Sequence, residues 1–235
     1  MQKTLVFACC QIMEEERDGF TFREIGIHPQ AIPNYDGSSL INMGKTRVMC
    51  TIRGPKSCEL SDNEHNCTGH VYVSVIGMGD KQEAGIVQRG VKNAVYSSLL
   101  TSKMYKVKIY ADIRVAHDDG NVLAAAINAA VIAITYSGLE MFDLTVGNGV
   151  ALRSDKTSSV DPTKEDLNAS SAMLTVGLMP SLRQFGCFEM AGLSTFRNVF
   201  NAVSRCEEDV YDQHFRIRSS LVHKLIEESG VKSIE

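Results

Sequence analysis

The chain has 235 residues, a net charge of −4, and 44% apolar against 22% charged residues. This is ordinary globular composition, and a chain of this length can bury a sizeable core without staples. The acidic balance excludes a strongly basic protein that grips nucleic acid regardless of sequence, though not one local basic patch. No apolar run reaches the roughly 18 residues that a membrane span needs. Seven cysteines in no disulfide-framework spacing predict free thiols in a reducing compartment. The apolar run Leu5–Cys10 is shorter than a signal-peptide core, so an intracellular protein is expected, with Cys9 and Cys10 in a core or interface.

Short strands dominate the first 80 residues. Arg23–Pro29 alternates around Ile25 and Ile27, and Tyr35-Asp36-Gly37-Ser38 supplies turn chemistry. Ser39–Met43 and Arg47–Arg53 read as two strands joined at Gly44-Lys45, with Gly54-Pro55 ending the second. A polar loop follows from Lys56 to Gly69, then a strand over His70–Ile76. The period changes at Ala84, Val87, Val91, Ala94 and Val95, which predicts an amphipathic helix over about 83–102. Lys106–Val115 alternates cleanly, with Val107, Ile109, Ala111, Ile113 and Val115 on one side.

Val122–Tyr136 is apolar on nearly every face, the pattern of a buried helix, and Gly138 suits its C-terminal cap. Asp143–Leu152, Ala172–Met179 and Phe185–Met190 read as three more strands. Apolar residues from Phe196 to Ile226 mark a long final helix, with Asp212 as the point where it could break. Strands separated by helices predict an α+β architecture, with mixed β-sheets around a buried central helix. One such helix argues for a single domain over residues 1–235.

The common chemical motifs are missing. There is no phosphate-binding loop, no dinucleotide fingerprint, no nucleophile elbow and no zinc-protease helix. Cys58, His65, Cys67 and His70 are the one cluster of zinc-type ligands, but their spacing matches no standard module and a plain polar loop explains them better. Asp118-Asp119 precedes the buried helix and reads as its N-cap rather than a reactive pair. Four cations are candidates for phosphate contact. Arg53 and Lys56 sit near one strand end, while Arg89 and Lys92 share a helix face by their i, i+3 spacing, although an ordinary solvated face explains such exposed pairs better.

Several segments together resemble one family. Asp36-Gly37-Ser38-Ser39-Leu40, Gly44-x-Thr46-x-Val48 and Arg53-Gly54-Pro55 resemble the N-terminal signature of RNase PH-like proteins. Arg17-Asp18-Gly19 with Arg23-Glu24-Ile25 is similar to a worn form of their opening. Asp119-Gly120, Ala126-Ile127-Asn128-Ala129-Ala130 and Gly138 resemble the centre of that fold. Gly138–Gly147, Asp161-Pro162-Thr163 and Leu174–Pro180 resemble the eukaryotic exosome ring subunits within the family.

The resemblance implies an RNase PH-like fold of the ribosomal protein S5 domain 2-like type. It implies a ring of RNase PH-like subunits around an RNA channel, with S1-type cap subunits above and 3′→5′ exoribonucleases attached. It also implies a nuclear and nucleolar location, with some protein in the cytoplasm. Active members phosphorolyse RNA from its 3′ end, which requires a phosphate cradle and a general acid.

Carried onto this chain, that machinery is depleted. The family's acidic position falls near Met173, and no Asp or Glu occurs between Leu167 and Phe188. Gly120 is followed by Asn121 and Val122, without the family's cation. The paired arginines reduce to Arg89, and Met104-Tyr105 replaces a Pro-Arg turn. A non-catalytic subunit without cofactor or metal is therefore expected. The alternatives are a phosphorolytic exoribonuclease using Asp166 or Asp119 as its acid, and a free-standing RNA binder.

Overall fold

The computed structural model describes residues 23–57, 69–104, 106–153 and 157–228. In chain order the elements are β1 (Ile25–Pro29), β2 (Gly37–Met43), β3 (Thr46–Ser57), β4 (His70–Ile76), α1 (Lys81–Ser98), β5 (Val107–His117), α2 (Val122–Tyr136), β6 (Val146–Leu152), β7 (Ser158–Val160), α3 (Lys164–Asn168), β8 (Ala172–Met179), β9 (Gln184–Gly192) and α4 (Phe196–Glu228). One sheet has five strands in the order β1-β2-β3-β5-β4, and the other has four in the order β7-β6-β8-β9. Among the described strands only the β4–β5 pair is parallel, and α1 provides the crossover that a parallel pair requires.

The two sheets sandwich α1 and α2. α2 packs on β2 and β3 from one side and on β6 from the other, while α1 lies beside it against β4 and β9. α4 packs on β6 and β8. Every residue of β6 is buried, because α2 and α4 cover its two faces. Val122 through Ile134 are all buried. Alanine spacing lets the backbones approach. Where α2 crosses β2, a Cβ on Gly37 would stand 2.0 Å from the Ala133 carbonyl oxygen, and the Ser39 hydroxyl donates to the Ala129 carbonyl at 2.6 Å. Gly37 and Ser39 are small because a helix backbone rests on them, whereas the Ser38 hydroxyl bonds the Ile32 backbone and the Asp36 carboxylate accepts from the Gly54 N–H.

Asn128 is the polar exception inside α2. Its amide donates to the Gly147 carbonyl at 3.1 Å and accepts from the Gly147 N–H at 2.7 Å.

Several expectations hold to the residue: β4, α2 and β8 have the bounds read from periodicity, and Gly138 has the positive φ of a helix-ending glycine. Others are corrected. β3 does not stop at Gly54-Pro55 but runs to Ser57, because a bulge between Arg53 and Lys56 absorbs the proline in a central strand. α1 ends at Ser98, where Leu99 turns extended and bridges Met141. Asp118 and Asp119 do not cap α2; Asn121 holds that position in a left-handed conformation.

The strand expected from Asp143 begins at Val146. The Asp143 carboxylate accepts from the Leu144 and Ser181 N–H groups instead. α4 is continuous through Asp212. β7 and α3 were not foreseen, although Thr163 and Asp166 form a reciprocal capping box at the start of α3.

Candidate functional site

The N-terminal end of α2 gathers the residues that the family resemblance pointed to. Thr46, at the start of β3, donates to the Gly120 carbonyl at 2.7 Å and accepts from the Asp119 N–H at 3.1 Å. Gly120 takes φ +96°, and a Cβ there would stand 2.6 Å from the Pro162 carbonyl oxygen. Asn121 follows with φ +53° and donates to the Asp161 carboxylate at 2.7 Å. A Cβ on Gly149 would lie 2.3 Å from Asn121 Oδ1 and 2.9 Å from Met173 Cε. Gly120, Asn121 and Met173 therefore converge on one spot, in front of β6 and β8.

The charges around this spot are paired with each other. Arg23 binds Asp161 through two hydrogen bonds, 2.8 Å from Nε and 2.5 Å from Nη2, and both side chains are largely buried. Lys164 pairs with Asp118 at 3.0 Å, and Arg153 with Asp166 at 2.7 Å. Burial works to raise the Asp166 pKa, but hydrogen bonds from the Thr163 side chain and backbone, together with Arg153, outweigh it and hold the carboxyl below its usual range. Asp118 behaves alike: burial opposes, while the Gly120 N–H and Lys164 pull its pKa down. A carboxylate held this way is ionised at neutral pH and is a poor proton donor.

The candidate cations separate into two places. Arg89 reaches β9, where its guanidinium pairs with Glu189 at 3.0 Å. Its i+3 neighbour Lys92 instead lines a cleft of about 430 Å³ with His70 and Tyr72, so the shared helix face does not bring them to one site. Arg53 and Lys56 stand on the outer face of the five-stranded sheet, 5.9 and 6.0 Å from the centre of the Tyr110 ring. Arg53 also pairs with Asp112 at 2.5 Å.

Of the cysteine and histidine cluster, Cys58, His65 and Cys67 lie outside the described residues, as do Cys9 and Cys10. His70 sits at the start of β4, its ring 6.5 Å from that of Tyr72. Among the described residues no three potential metal ligands cluster, and the cysteines Cys50, Cys187 and Cys206 are free and buried. Burial pushes the thiol pKa up in all three, to about 11 at Cys187 and about 12 at Cys206, so none is a ready nucleophile at neutral pH.

Sequence reasoning named Arg23 and Asp161 only as parts of the family resemblance, without pairing them, and it missed Tyr72 and Tyr110. The first two are joined across 138 positions, and the tyrosines meet only through strand register.

The fold and the site define a class. Residues 21–140 match the 3′ exoribonuclease family, domain 1, known as RNase PH, and the chain belongs to that family. Among curated relatives it is 25% identical over 195 residues to the mouse exosome complex component MTR3, spanning 72% of this chain and 70% of that protein. It is 26% identical over 195 residues to the Arabidopsis thaliana exosome complex component RRP41 homolog, spanning 77% and 79%. Rice Rrp46 shares the fold, with a TM-score of 0.78 at 20% identity over 88% of this chain and 99% of that one. A subunit of an archaeal exosome core does so with a TM-score of 0.72 at 19% identity, over 94% and 99%.

Proposed function

We propose that this protein is a non-catalytic subunit of an exosome-type ring. In this reading residues 1–235 form one domain that helps build the channel through which RNA reaches 3′→5′ nucleases. Its partners are other RNase PH-like subunits, S1-type caps and the attached exoribonucleases. Its locations are the nucleus and nucleolus, with a share in the cytoplasm.

The observation that carries this reading is an uncovered apolar surface. β9 is an edge strand. Its Phe188 and Met190 pair in register with Val176 and Leu174, the residues that α4 covers, yet both stand exposed beside the helix. Leu193, Phe196 and Phe200 continue the surface, also exposed. An open strand edge next to exposed aromatics is what an isolated subunit of an obligate assembly presents.

Loss of catalysis is supported by the α2 N-terminus, where Arg23 is committed to Asp161 and the nearby acids Asp118 and Asp166 are held ionised. Native mass spectrometry of the tagged endogenous protein tests the assembly. A complex holding several distinct RNase PH-like chains is expected, and a monomer or homo-oligomer would overturn it. Incubating the purified chain with single-stranded RNA, magnesium and phosphate should release no nucleoside diphosphate. Release abolished by Asp166→Asn or Asp119→Asn would establish the enzyme reading instead.

A further inference from the structure

The outer face of the five-stranded sheet carries a ladder of aromatic and cationic side chains in register across three strands. Arg53 on β3 lies opposite Tyr110 on β5, and Tyr110 lies opposite Tyr72 on β4. The next row is Lys56, Lys108 and His70. The two tyrosine rings stack, with centroids 5.3 Å apart and planes 19° from parallel. His70 tilts against Tyr72 at 6.5 Å, and both Arg53 and Lys56 stand over the Tyr110 ring. Tyr72 is 40% exposed and the Arg53 side chain 49%.

The β3 bulge makes this arrangement possible. Three positions apart on a regular strand, Arg53 and Lys56 would point to opposite faces. The extra residue between them, at Gly54-Pro55, turns both onto the Tyr110 side. Bulges re-aim side chains in this way, and here the gain is a second cation on one aromatic ring.

A stacked tyrosine pair is by itself ordinary cross-strand packing. The charges go beyond that. The chain as a whole is acidic, yet among the described residues the Arg53 row, the Lys56 row and the adjoining row Thr51, Asp112, Ser74 hold three cations against one acid, Asp112, which pairs with Arg53. The surface then continues around β4, the edge strand, into the cleft of about 430 Å³ that His70 and Tyr72 share with Lys92 and Tyr96 on α1. An exposed aromatic ring, here Tyr72, flanked by cations is a feature that holds single strands, with a base stacked and phosphates neutralised.

We propose that this sheet face binds single-stranded RNA. A base stacks on Tyr72, the exposed ring of the pair, which Tyr110 backs from β5; Lys56 and Lys108 meet the phosphates beside the Arg53–Asp112 pair, and the strand passes over β4 toward Lys92. The choice of RNA over DNA rests on the functional reading above; the binding geometry does not depend on ring assembly.

The test uses the full chain and a fluorescent 12-nucleotide oligouridylate, followed by anisotropy. Tyr72→Leu and Tyr110→Leu should each weaken binding by roughly five-fold to a hundred-fold. Tyr72→Phe and Tyr110→Phe keep the ring and should bind as the parent does. Lys56→Gln and Lys108→Gln should each flatten the salt dependence by about 0.7 in log–log slope. Leucine variants that bind like the parent, or an RNA duplex that competes as well as the single strand, would overturn the proposal.

Should a leucine variant fail to fold, photo-crosslinking of the parent chain with 4-thiouridine-containing oligomer decides. Adducts in β4 and β5 support the platform, and adducts only elsewhere overturn it. Protection of Tyr72 and Tyr110 in an assembled complex free of RNA would assign the face to a protein and likewise overturn it. Native mass spectrometry of the same variants scores assembly separately, so a subunit that enters a ring but loses RNA keeps the two readings apart.

Discussion

The helices α2 and α4 spend their apolar surface differently. α2 is buried from Val122 to Ile134 on every side, so its hydrophobic surface is consumed within the chain. α4 buries Ala202, Cys206, Val210, Ile217 and Leu221 on one side, and carries a second apolar stripe on another. Phe200, Tyr211, Phe215, Val222 and Ile226 are spaced by eleven, four, seven and four residues, which puts them on one helical face. All five are exposed, Phe200 by 62% and Phe215 by 64%. A helix that satisfies one apolar face at home and leaves another open is built to be finished by a neighbour. The contrast separates residues that matter for folding from residues that matter for assembly.

The sharpest way to break that contrast is at the α2 crossing. Gly37→Ala places a methyl 2.0 Å from the Ala133 carbonyl oxygen, and should cost about 3 kcal/mol or more in urea denaturation, with assembly lost only because folding is. At the N-terminal end of α2, Arg23→Met leaves the buried Asp161 carboxylate unpaired and should cost about 3 kcal/mol, read from the same curves.

On α4 the expectation reverses. Phe200→Asp with Phe215→Asp should leave unfolding within about 0.5 kcal/mol of the parent. It should weaken incorporation into a complex by roughly 30-fold or more in competition with wild-type subunit. Parent-like incorporation would erase the distinction between the helices.

The smallest effect is a pH dependence beneath α4. Burial lowers the His214 pKa, with Arg218 adding to it and Asp143 opposing. The unfolded chain takes up this proton near the ordinary value of 6.5, while the folded chain resists it. His214 therefore supports the fold fully above that value, and its contribution declines as pH falls through 6.5 toward the folded-state pKa. Thermal melts between about pH 8 and pH 5 should show this slope, and His214→Gln should flatten it.

Regular periodicity made much of the fold legible. α2 was readable because no polar face interrupts it, and β5 because its inward residues from Val107 to Val115 alternate without a break. What stayed hidden depends on partners distant in sequence. Gly54-Pro55 has the chemistry of a strand end, and only pairing with β5 shows that a bulge carries the strand past it. The apolar residues from Phe196 to Ile226 mark a helix, but spacing says that a face is apolar and not whether anything covers it, so the exposure of Phe196 and Phe200 was hidden. At the candidate sites, Arg53 and Lys56 were visible as cations, whereas Tyr72 and Tyr110 gained meaning only when register set them in one row.

The Asn128 amide inside α2 has one more consequence. Its two hydrogen bonds to Gly147 copy the paired donor and acceptor of a neighbouring strand, so a helix side chain reads the position of β6 as a strand would. β6 needs such a reader. Its sequence, Val-Gly-Asn-Gly-Val-Ala-Leu, contains two glycines and is buried on both faces, so hydrophobic alternation cannot say which residue belongs opposite which. A slip of one place would bring a side chain to where a Cβ stands 2.8 Å from the Ala124 carbonyl oxygen, and would leave both ends of the amide without partners. One asparagine thus acts as the alignment mark by which the second sheet is threaded onto the first.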